Sequence, residues 1–370
     1  MFYKKLRKTL MSSRIPALDG LRGLAILLVL LWHLVLCQMQ AQAETLAGYF
    51  YKLFHHSYSG VDLFFVLSGF LITGILLKEI GTSRWLKIFW IRRSFRILPL
   101  YALFLVVCFL IFFASGRSAG SIPNPVWPYF VMLQNFWMGW QNQLGPWGIT
   151  WSLAIEEQFY LVFPLILSFA LARKFLPFLC LAMLILSLIL RLQGEYLYSF
   201  VLTPYRLDGF AVGAFLAWLV RKGDTIGSLQ RLAWITPSLV AASLIAFAAI
   251  TLRSASREPY DHTIFALGYG ALLLHLVVHR KGFLVIIFSS RGLCWLGIIS
   301  YPLYLFHELC LWGCHQVLGI TSTFGEIVAI AGVALTVSLV VAHLLNAYFA
   351  NPLLDFGRFI SENIKNQKTI

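Results

Sequence analysis

Residues 18–37 read LDGLRGLAILLVLLWHLVLC, and this stretch decides the fold. From Leu24 to Cys37 the run is apolar apart from His33. The hydrocarbon core of a bilayer is about 30 Å thick, and a helix needs roughly 20 mostly apolar residues to cross it. A run of this length and composition therefore predicts a membrane-spanning helix.

Comparable apolar runs recur along the chain as far as Phe349. Of the 370 residues, 59% are hydrophobic and only 12% are charged, against about 25% charged in an ordinary soluble domain. Open sheets leave their edge groups unsatisfied in lipid, and the period-two alternation of an outer-membrane barrel is absent. We predict an all-α integral membrane protein of about ten transmembrane helices, at 20–38, 61–78, 97–114, 149–170, 174–192, 206–220, 233–252, 262–279, 297–318 and 326–349.

The net charge of +14 is distributed unevenly between the two sides of this predicted bundle. Five basic residues precede the first span, which places the N-terminus inside: Lys4, Lys5, Arg7, Lys8 and Arg14. Of the 29 Lys and Arg, 23 then lie on the cytoplasmic side, and six lie at or near the outer side: Lys52, Arg117, Arg191, Arg206, Arg253 and Arg257. This asymmetry follows the positive-inside rule. We therefore predict a multi-pass protein of the bacterial inner membrane with both termini cytoplasmic, whose basic surplus reflects topology and anionic lipid rather than nucleic acid.

The chain is expected to form one transmembrane domain over residues 1–370, since no soluble stretch follows the last predicted span. The first span has an alternative interpretation. A basic N-terminus, an apolar run and Ala41-Gln42-Ala43 together resemble a cleavable signal peptide. Cleavage there would remove Arg22 and His33, the two residues that most strongly suggest a catalytic or binding role.

Ionisable groups at membrane depth are costly, so each one is a hypothesis about function. The first span contains Asp19, Arg22 and His33. Eleven residues return a helix nearly to its starting direction, so Arg22 and His33 share a face about 16 Å apart along the axis. Arg22 could anchor a phosphate near the cytoplasmic edge. His33, whose ordinary pKa lies near neutrality, suits a general base, or it is a structural histidine bonded to a neighbouring helix.

Three features of the second span and of the segment before the third span could carry chemistry. Asp62 opens the second span and could orient His33 or a substrate, or cap the helix. Ser68 lies in Leu-Ser-Gly, which lacks the elbow sequence and preceding strand of a nucleophilic serine. Arg93 and Arg96 are neighbours on a helix face and could grip phosphates bidentately, or bind lipid headgroups, or only set the topology.

Acidic and histidine residues recur within later spans. Glu156 and Glu157 cannot both face lipid, so at least one must meet a cation, a histidine or water. Arg206 and Asp208 are expected to form a local ion pair. His307 lies mid-span, with Tyr304 on the same face, so a polar path lined by several helices is plausible. The six cysteines form no zinc-type spacing, and we expect no bound metal.

These pieces together resemble the acyltransferase-3 family of integral-membrane acyltransferases. The resemblance covers nearly the whole chain, and its fragments occur in this order: Leu18-Asp19-Gly20-Leu21-Arg22-Gly23 with His33, Gly60-Val61-Asp62-Leu63-Phe64-Phe65-Val66-Leu67-Ser68-Gly69-Phe70, Arg93-Ser94-Phe95-Arg96-Ile97-Leu98-Pro99, Thr150-Trp151-Ser152-Leu153 with Glu156 and Phe159-Tyr160, Arg206-Leu207-Asp208, and Ser300-Tyr301-Pro302-Leu303-Tyr304-Leu305-Phe306-His307. Each fragment alone is weak evidence for the family. Six fragments in the same order, on a frame of ten predicted spans, are specific evidence for it.

The resemblance implies transfer of an acyl group, usually acetyl, from acyl-CoA to a sugar hydroxyl, such as one of O-antigen or exopolysaccharide. The family's Arg-x10-His motif falls on Arg22 and His33, and its Arg-x-x-Arg motif falls on Arg93 and Arg96. We expect these three arginines to hold the CoA phosphates, with acyl-CoA as a donor substrate rather than a tightly bound cofactor.

The residues and the resemblance together lead to a hypothesis about further roles. His33 is expected to be the catalytic base, oriented by one of three carboxylates: Asp19, Asp62 or Glu156. Four residues are expected to contact the substrate: Trp151, Arg206, Tyr304 and His307. An acyl-histidine intermediate is an alternative. Many relatives carry a C-terminal SGNH-hydrolase-like domain, and the chain is expected to be of the stand-alone type without it.

Two other classes of function remain as alternatives. In a glycolipid transporter or flippase the polar residues would line a pathway, but the inverted repeats and paired broken helices frequent in transporters are not evident. A non-catalytic membrane scaffold explains the many ionisable groups poorly. The acyltransferase interpretation accounts for more of the sequence than either.

Overall fold

The computed structural model describes residues 15–39, 45–82, 84–114, 125–145, 147–194, 196–221, 225–253, 258–279, 281–319 and 323–366. Its regular secondary structure within these ranges is entirely helical. In chain order the α-helices are α1 (Pro16–Leu34), α2 (Leu46–Phe54), α3 (Gly60–Glu79), α4 (Trp85–Ala114), α5 (Trp127–Phe130), α6 (Gln134–Gln141), α7 (Thr150–Ser168), α8 (Ala170–Lys174), α9 (Leu176–Gln193), α10 (Tyr196–Val201), α11 (Leu207–Arg221), α12 (Thr225–Arg253), α13 (Asp261–Val278), α14 (Phe283–Phe288), α15 (Arg291–Ile298), α16 (Ser300–Leu318), α17 (Phe324–Leu345) and α18 (Asn351–Asn366).

Each of the ten predicted spans coincides with one of these helices, because a backbone in lipid must satisfy its own hydrogen bonds. By length and composition, seven helical segments in the described ranges could cross a membrane, or eight if the pair α15 and α16, bent by 75°, is one span. The all-α membrane fold is therefore confirmed. The number of crossings and the sidedness of the termini remain predictions.

Two parts of the sequence-based interpretation lie outside the described residues. The five N-terminal basic residues fall within residues 1–14, and Ala41-Gln42-Ala43 fall within residues 40–44. Neither the orientation argued from the N-terminal charges nor the signal-peptide alternative is tested by the fold.

α1 is surrounded by other helices: it packs against α3 on one side and against α14, α15 and α16 on another. Glycines permit this close approach. A Cβ at Gly20 would collide with the backbone carbonyl of Phe288, and one at Gly23 would collide with that of Leu293. Small residues at such contacts let helix backbones meet in a membrane. α1 is consequently held along its length, which fixes the residues that project from it.

α3 and α11 form a second close pair. A Cβ at Gly69 would meet the carbonyl of Phe210, and one at Gly213 would meet the carbonyl of Val66. Gly69 and Thr73 are four residues apart on α3, so they share a face of small residues. Thr73 is fully buried, as expected at a close helix contact.

Candidate active site

Two cavities lie toward opposite ends of α1. The arginine cavity, about 100 Å³ in volume, contains Arg22 in its wall. The histidine cavity, about 450 Å³, contains His33. Eleven residues of helix separate these two side chains, a rise of about 16 Å. The predicted spacing of Arg22 and His33 thus places them in two distinct cavities along one helix.

The arginine cavity brings together the three predicted phosphate-binding residues. Arg22 from α1 meets Arg93 and Arg96 from α4 in its wall. The Nη1 of Arg22 lies 3.5 Å from Oδ1 of Asp19, and the Arg93 guanidinium lies over the Tyr160 ring, 5.7 Å from its centroid. Three guanidinium groups around one small space suit a multiply charged anion.

Glu156 faces the same cavity and is held in place by two hydroxyl groups. Ser68 Oγ donates a hydrogen bond to Oε1 at 2.8 Å, and Tyr160 Oη donates one to Oε2 at 3.2 Å. The two hydroxyl oxygens also lie 2.9 Å apart. Of the two adjacent glutamates, Glu156 is the one that lines this cavity. Ser68 therefore supports a carboxylate, which was not predicted from the sequence.

The histidine cavity contains an ionisable pair surrounded by aromatic walls. His33 Nε2 lies 3.6 Å from Oε1 of Glu308 on α16. His33 Nδ1 lies 2.9 Å from the carbonyl oxygen of Val29, one turn earlier in α1. A carbonyl only accepts, so Nδ1 carries the proton and Nε2 presents its lone pair. The aromatic lining residues are Phe104, Phe112, Trp147 and Trp312.

A line of side chains on α16 connects the two cavities. The rings of His33 and His307 lie 5.0 Å apart between centroids. His307 Nδ1 donates to the carbonyl of Tyr304 at 2.7 Å. Tyr304 Oη donates to the carbonyl of Ile149 at 2.8 Å and therefore accepts from Ser152 Oγ at 2.6 Å. Because Tyr304 and Ser152 also line the arginine cavity, the plausible polar path inferred from sequence has a structural counterpart.

The comparisons with known proteins show which family the chain belongs to. A family model described as an acyltransferase domain, that of acyltransferase-3, matches residues 15–343. The chain belongs to the acyltransferase-3 family. The resemblance drawn from the sequence motifs is confirmed, and the family match includes both cavities and the helices between them.

Three relatives illustrate this membership. The peptidoglycan O-acetyltransferase OatA of Listeria monocytogenes is 30% identical over 328 residues, covering 82% of this chain and 50% of that protein. A Staphylococcus aureus protein named as a candidate O-acetyltransferase is 31% identical over 339 residues, covering 82% of this chain and 51% of its own. YrhL of Bacillus subtilis, named as a candidate peptidoglycan O-acetyltransferase, is 30% identical over 328 residues, with coverages of 81% and 49%. The chain spans about half the length of these curated relatives, and no solved structure matches it.

The acyltransferase-3 motif residues Asp62, Trp151 and Arg206 lie together, outside the residues that line the two cavities. Arg206 Nη2 donates to Asp62 Oδ1 at 2.8 Å, and His262 Nδ1 lies 3.2 Å from Oδ2. The Arg206 guanidinium also lies 5.4 Å from the Trp151 ring centroid. Asp62 and Arg206 are each 1% exposed in their side chains. This arrangement is a buried cluster apart from both cavities. The catalytic and substrate-contact roles expected for its members from the sequence remain predictions.

The expected local ion pair between Arg206 and Asp208 is wrong. Asp208 Oδ2 accepts instead from Arg191 Nη2 on α9, at 2.7 Å, while Arg206 pairs with Asp62 of α3. Both ion pairs therefore join different helices. Sequence proximity favoured the local pair, but residues two apart in a helix point away from one another.

The carboxylate beside His33 also differs from the expectation. Asp19 pairs with Arg22, Asp62 with Arg206, and Glu156 with Ser68 and Tyr160. Glu308 is the residue that approaches His33. Its mid-span position next to His307 was visible in the sequence, but nothing in the sequence indicated that α16 crosses α1 at this level.

Proposed function

We propose that the chain transfers an acyl group, acetyl in the simplest case, from acyl-CoA to a hydroxyl of a cell-surface carbohydrate. The observation that carries this proposal is the pair of cavities on α1: one is lined by three arginines and the other by a histidine with a free Nε2 lone pair. A phosphate-bearing donor suits the first chamber, and a neutral, ring-shaped acceptor suits the second.

The donor end rests on Arg22, Arg93 and Arg96. Their guanidinium groups would hold the phosphates of the nucleotide by charge-assisted hydrogen bonds. The narrow pantetheine arm would then extend between the helices toward His33 and bring the thioester with it. Glu156, fixed by Ser68 and Tyr160 on this side, would position the donor rather than orient the base.

The reaction itself needs one proton acceptor. The acceptor hydroxyl gives its proton to His33 Nε2 as its oxygen attacks the thioester carbonyl carbon. The carbon–sulfur bond then breaks, and the thiolate takes the proton from His33 to leave as free CoA. The Nδ1–H of His33, which donates to the Val29 carbonyl, keeps the ring in the tautomer that this step requires.

The acceptor would be a carbohydrate on the far side of the membrane. Aromatic side chains such as Trp147 and Trp312 line the histidine cavity, and flat rings provide apolar surfaces for stacking against sugars. O-antigen, exopolysaccharide and peptidoglycan all offer suitable hydroxyls, and peptidoglycan is the substrate in the names of relatives. We place the protein in the bacterial inner membrane, with the arginine cavity open to the cytoplasm.

The decisive experiment is mass spectrometry of cell-surface polysaccharide from cells that lack the gene and are complemented with wild type, His33→Ala or Arg92→Ala. Arg92 is exposed beside the motif and does not line the arginine cavity. We expect an O-acyl mass increment with wild type and Arg92→Ala, and none with His33→Ala, at equal protein levels in the membrane. Full acylation with His33→Ala would contradict the mechanism. Normal acylation without the gene, combined with polysaccharide retained inside the cell, would favour a transporter.

A further inference from the structure

A group of three potential metal ligands borders the histidine cavity. His33 comes from α1, and His307 and Glu308 come from α16. One ligand atom from each lies within 4.8 Å of those from the other two, and the His33 to Glu308 separation is 3.6 Å. In a tetrahedral zinc site, with bonds of about 2.0–2.1 Å, ligand atoms lie roughly 3.3 Å apart. The His33 to Glu308 separation is already near that spacing.

Both histidines are oriented in the way that metal-binding histidines are. His33 Nδ1 donates to the Val29 carbonyl, and His307 Nδ1 donates to the Tyr304 carbonyl. Metal-bound histidines commonly use the ring N–H in this manner, because it fixes the tautomer and the ring plane. The Nε2 lone pairs of both rings are thereby available to a shared ligand.

The Nε2 atom of His307 gives a second, independent indication. The His307 side chain is fully buried, and its Nε2 has no hydrogen-bond partner among the described residues. A buried acceptor without a partner is unfavourable and calls for an explanation. Glu308 is the one carboxylate among the residues lining the cavity, which include no lysine or arginine in the described part of the chain. The local charge therefore favours a cation.

We propose that His33, His307 and Glu308 bind one divalent transition-metal ion of the zinc type, with an open coordination position toward the cavity. Two imidazoles and one carboxylate are a zinc donor set, and three protein ligands leave a fourth position open. Magnesium and calcium prefer sets made of oxygen atoms. The side chain of Glu308 is 36% exposed, so an ion can enter through the cavity. The sequence did not predict this set, because its ligands are 274 positions apart between His33 and His307.

The proposal goes beyond the proposed function and has a consequence for it. A bound ion occupies the Nε2 lone pair of His33, which the acyl transfer step uses to accept a proton. Zinc and proton acceptance therefore compete for one atom. We expect micromolar zinc to inhibit transfer, and a chelator to restore it.

The test is direct metal binding to the purified full-length protein in detergent, stripped with a chelator and titrated with Zn²⁺ against a chromophoric competitor. We expect one ion per chain, with affinity reduced at least tenfold in both His307→Ala and Glu308→Gln. The control is His315→Ala. His315 lines the same cavity but bonds Gln38 Oε1 at 2.7 Å, and we expect its removal to leave the affinity unchanged.

A second readout covers variants that fold poorly. Co²⁺ bound to the wild-type protein should give visible d–d absorption. This absorption should change in Glu308→Gln, the mildest of the substitutions. Both proteins are compared as monodisperse samples, so that misfolding does not account for the difference. Absence of stoichiometric Zn²⁺ binding, or equal affinity in wild type, His307→Ala and Glu308→Gln, would overturn the metal site. Failure of the metal site would leave acyl transfer by the protein unaffected. Failure of the proposed function would instead appear as no acyl transfer by metal-free wild-type protein.

Discussion

Arg92 and Arg93 are adjacent in the sequence, yet only Arg93 lines the arginine cavity. A hydrogen bond to a charged group contributes about 1.5–3 kcal/mol, which corresponds to roughly a 10- to 150-fold change in an equilibrium. We therefore expect Arg93→Ala to raise the KM for acyl-CoA by about that factor, with a much smaller change in kcat. Arg92→Ala is the matched control. Initial rates in proteoliposomes at varied donor concentration measure KM and kcat for each variant. Equal KM values for Arg93→Ala and Arg92→Ala would contradict the role of Arg93 in donor binding.

A second prediction at the scale of single residues concerns Asp62. Removing it leaves Arg206, which is 1% exposed, as a buried charge without its carboxylate. Breaking a buried pair from one side typically costs about 3–5 kcal/mol. We expect Asp62→Ala to lower the melting temperature in detergent severely.

The comparison for Asp62 is a surface pair. Asp355 and Arg358 form an ion pair with exposed fractions of 70% and 66%, and exposed pairs contribute little to stability. Asp355→Ala should therefore leave the melting temperature close to that of wild type. Equal stability of Asp62→Ala and wild type would show that the cluster around Arg206 does not hold the helices together.

At the scale of helices, the contact between α3 and α11 depends on one missing side chain. A Cβ at Gly69 would meet the Phe210 carbonyl, whereas a Cβ at Gly74, on the same helix, has open space within 4 Å. Overpacking of a tight contact costs about 1–3 kcal/mol, while Gly→Ala in an open helical position is neutral to stabilising by up to about 1 kcal/mol. We expect Gly69→Ala to lower thermal stability and Gly74→Ala to preserve or raise it, as measured by heating followed by size-exclusion chromatography. A Gly69→Ala protein as stable as wild type would contradict the packing.

The helices were predictable from sequence because the lipid imposes them: an apolar run of sufficient length has to satisfy its backbone internally. The pairing of helices was not predictable in the same way. Packing between segments far apart in the chain brings His33 to Glu308 and Arg206 to Asp62. The spacing of apolar residues within one helix does not indicate which other helix it contacts. The arginine cavity was easier to anticipate, since two of its cations lie on one face of a single helix. The short helix α15, which meets α16 at a bend of 75°, lies mostly before the predicted span 297–318 and was not predicted from the sequence.

For the whole molecule, the orientation in the membrane can be read from two cysteines. Cys37 is exposed just beyond the His33 end of α1, and Cys294 contacts the carbonyl of Pro16 at the other end. If the N-terminus is cytoplasmic, a membrane-impermeant maleimide added to spheroplasts should label a variant that retains only Cys37. It should label a variant that retains only Cys294 after lysis but not before. The reverse pattern would invert the topology and place the arginine cavity outside.

The separation of the two cavities along α1 has a consequence for what must cross the membrane during the proposed reaction. On the proposed function, one chamber would receive the donor at one membrane face and the other would receive the acceptor at the opposite face. A thioester made in the cytoplasm would then drive a modification in a compartment that contains none. Neither the coenzyme nor the sugar polymer would have to traverse the bilayer, since only the few atoms of the acyl group would change sides. The packed residues between the chambers, Tyr304 and Ser152 among them, would at the same time keep the membrane sealed to ions, so that acylation could proceed without dissipating the potential on which the cell depends.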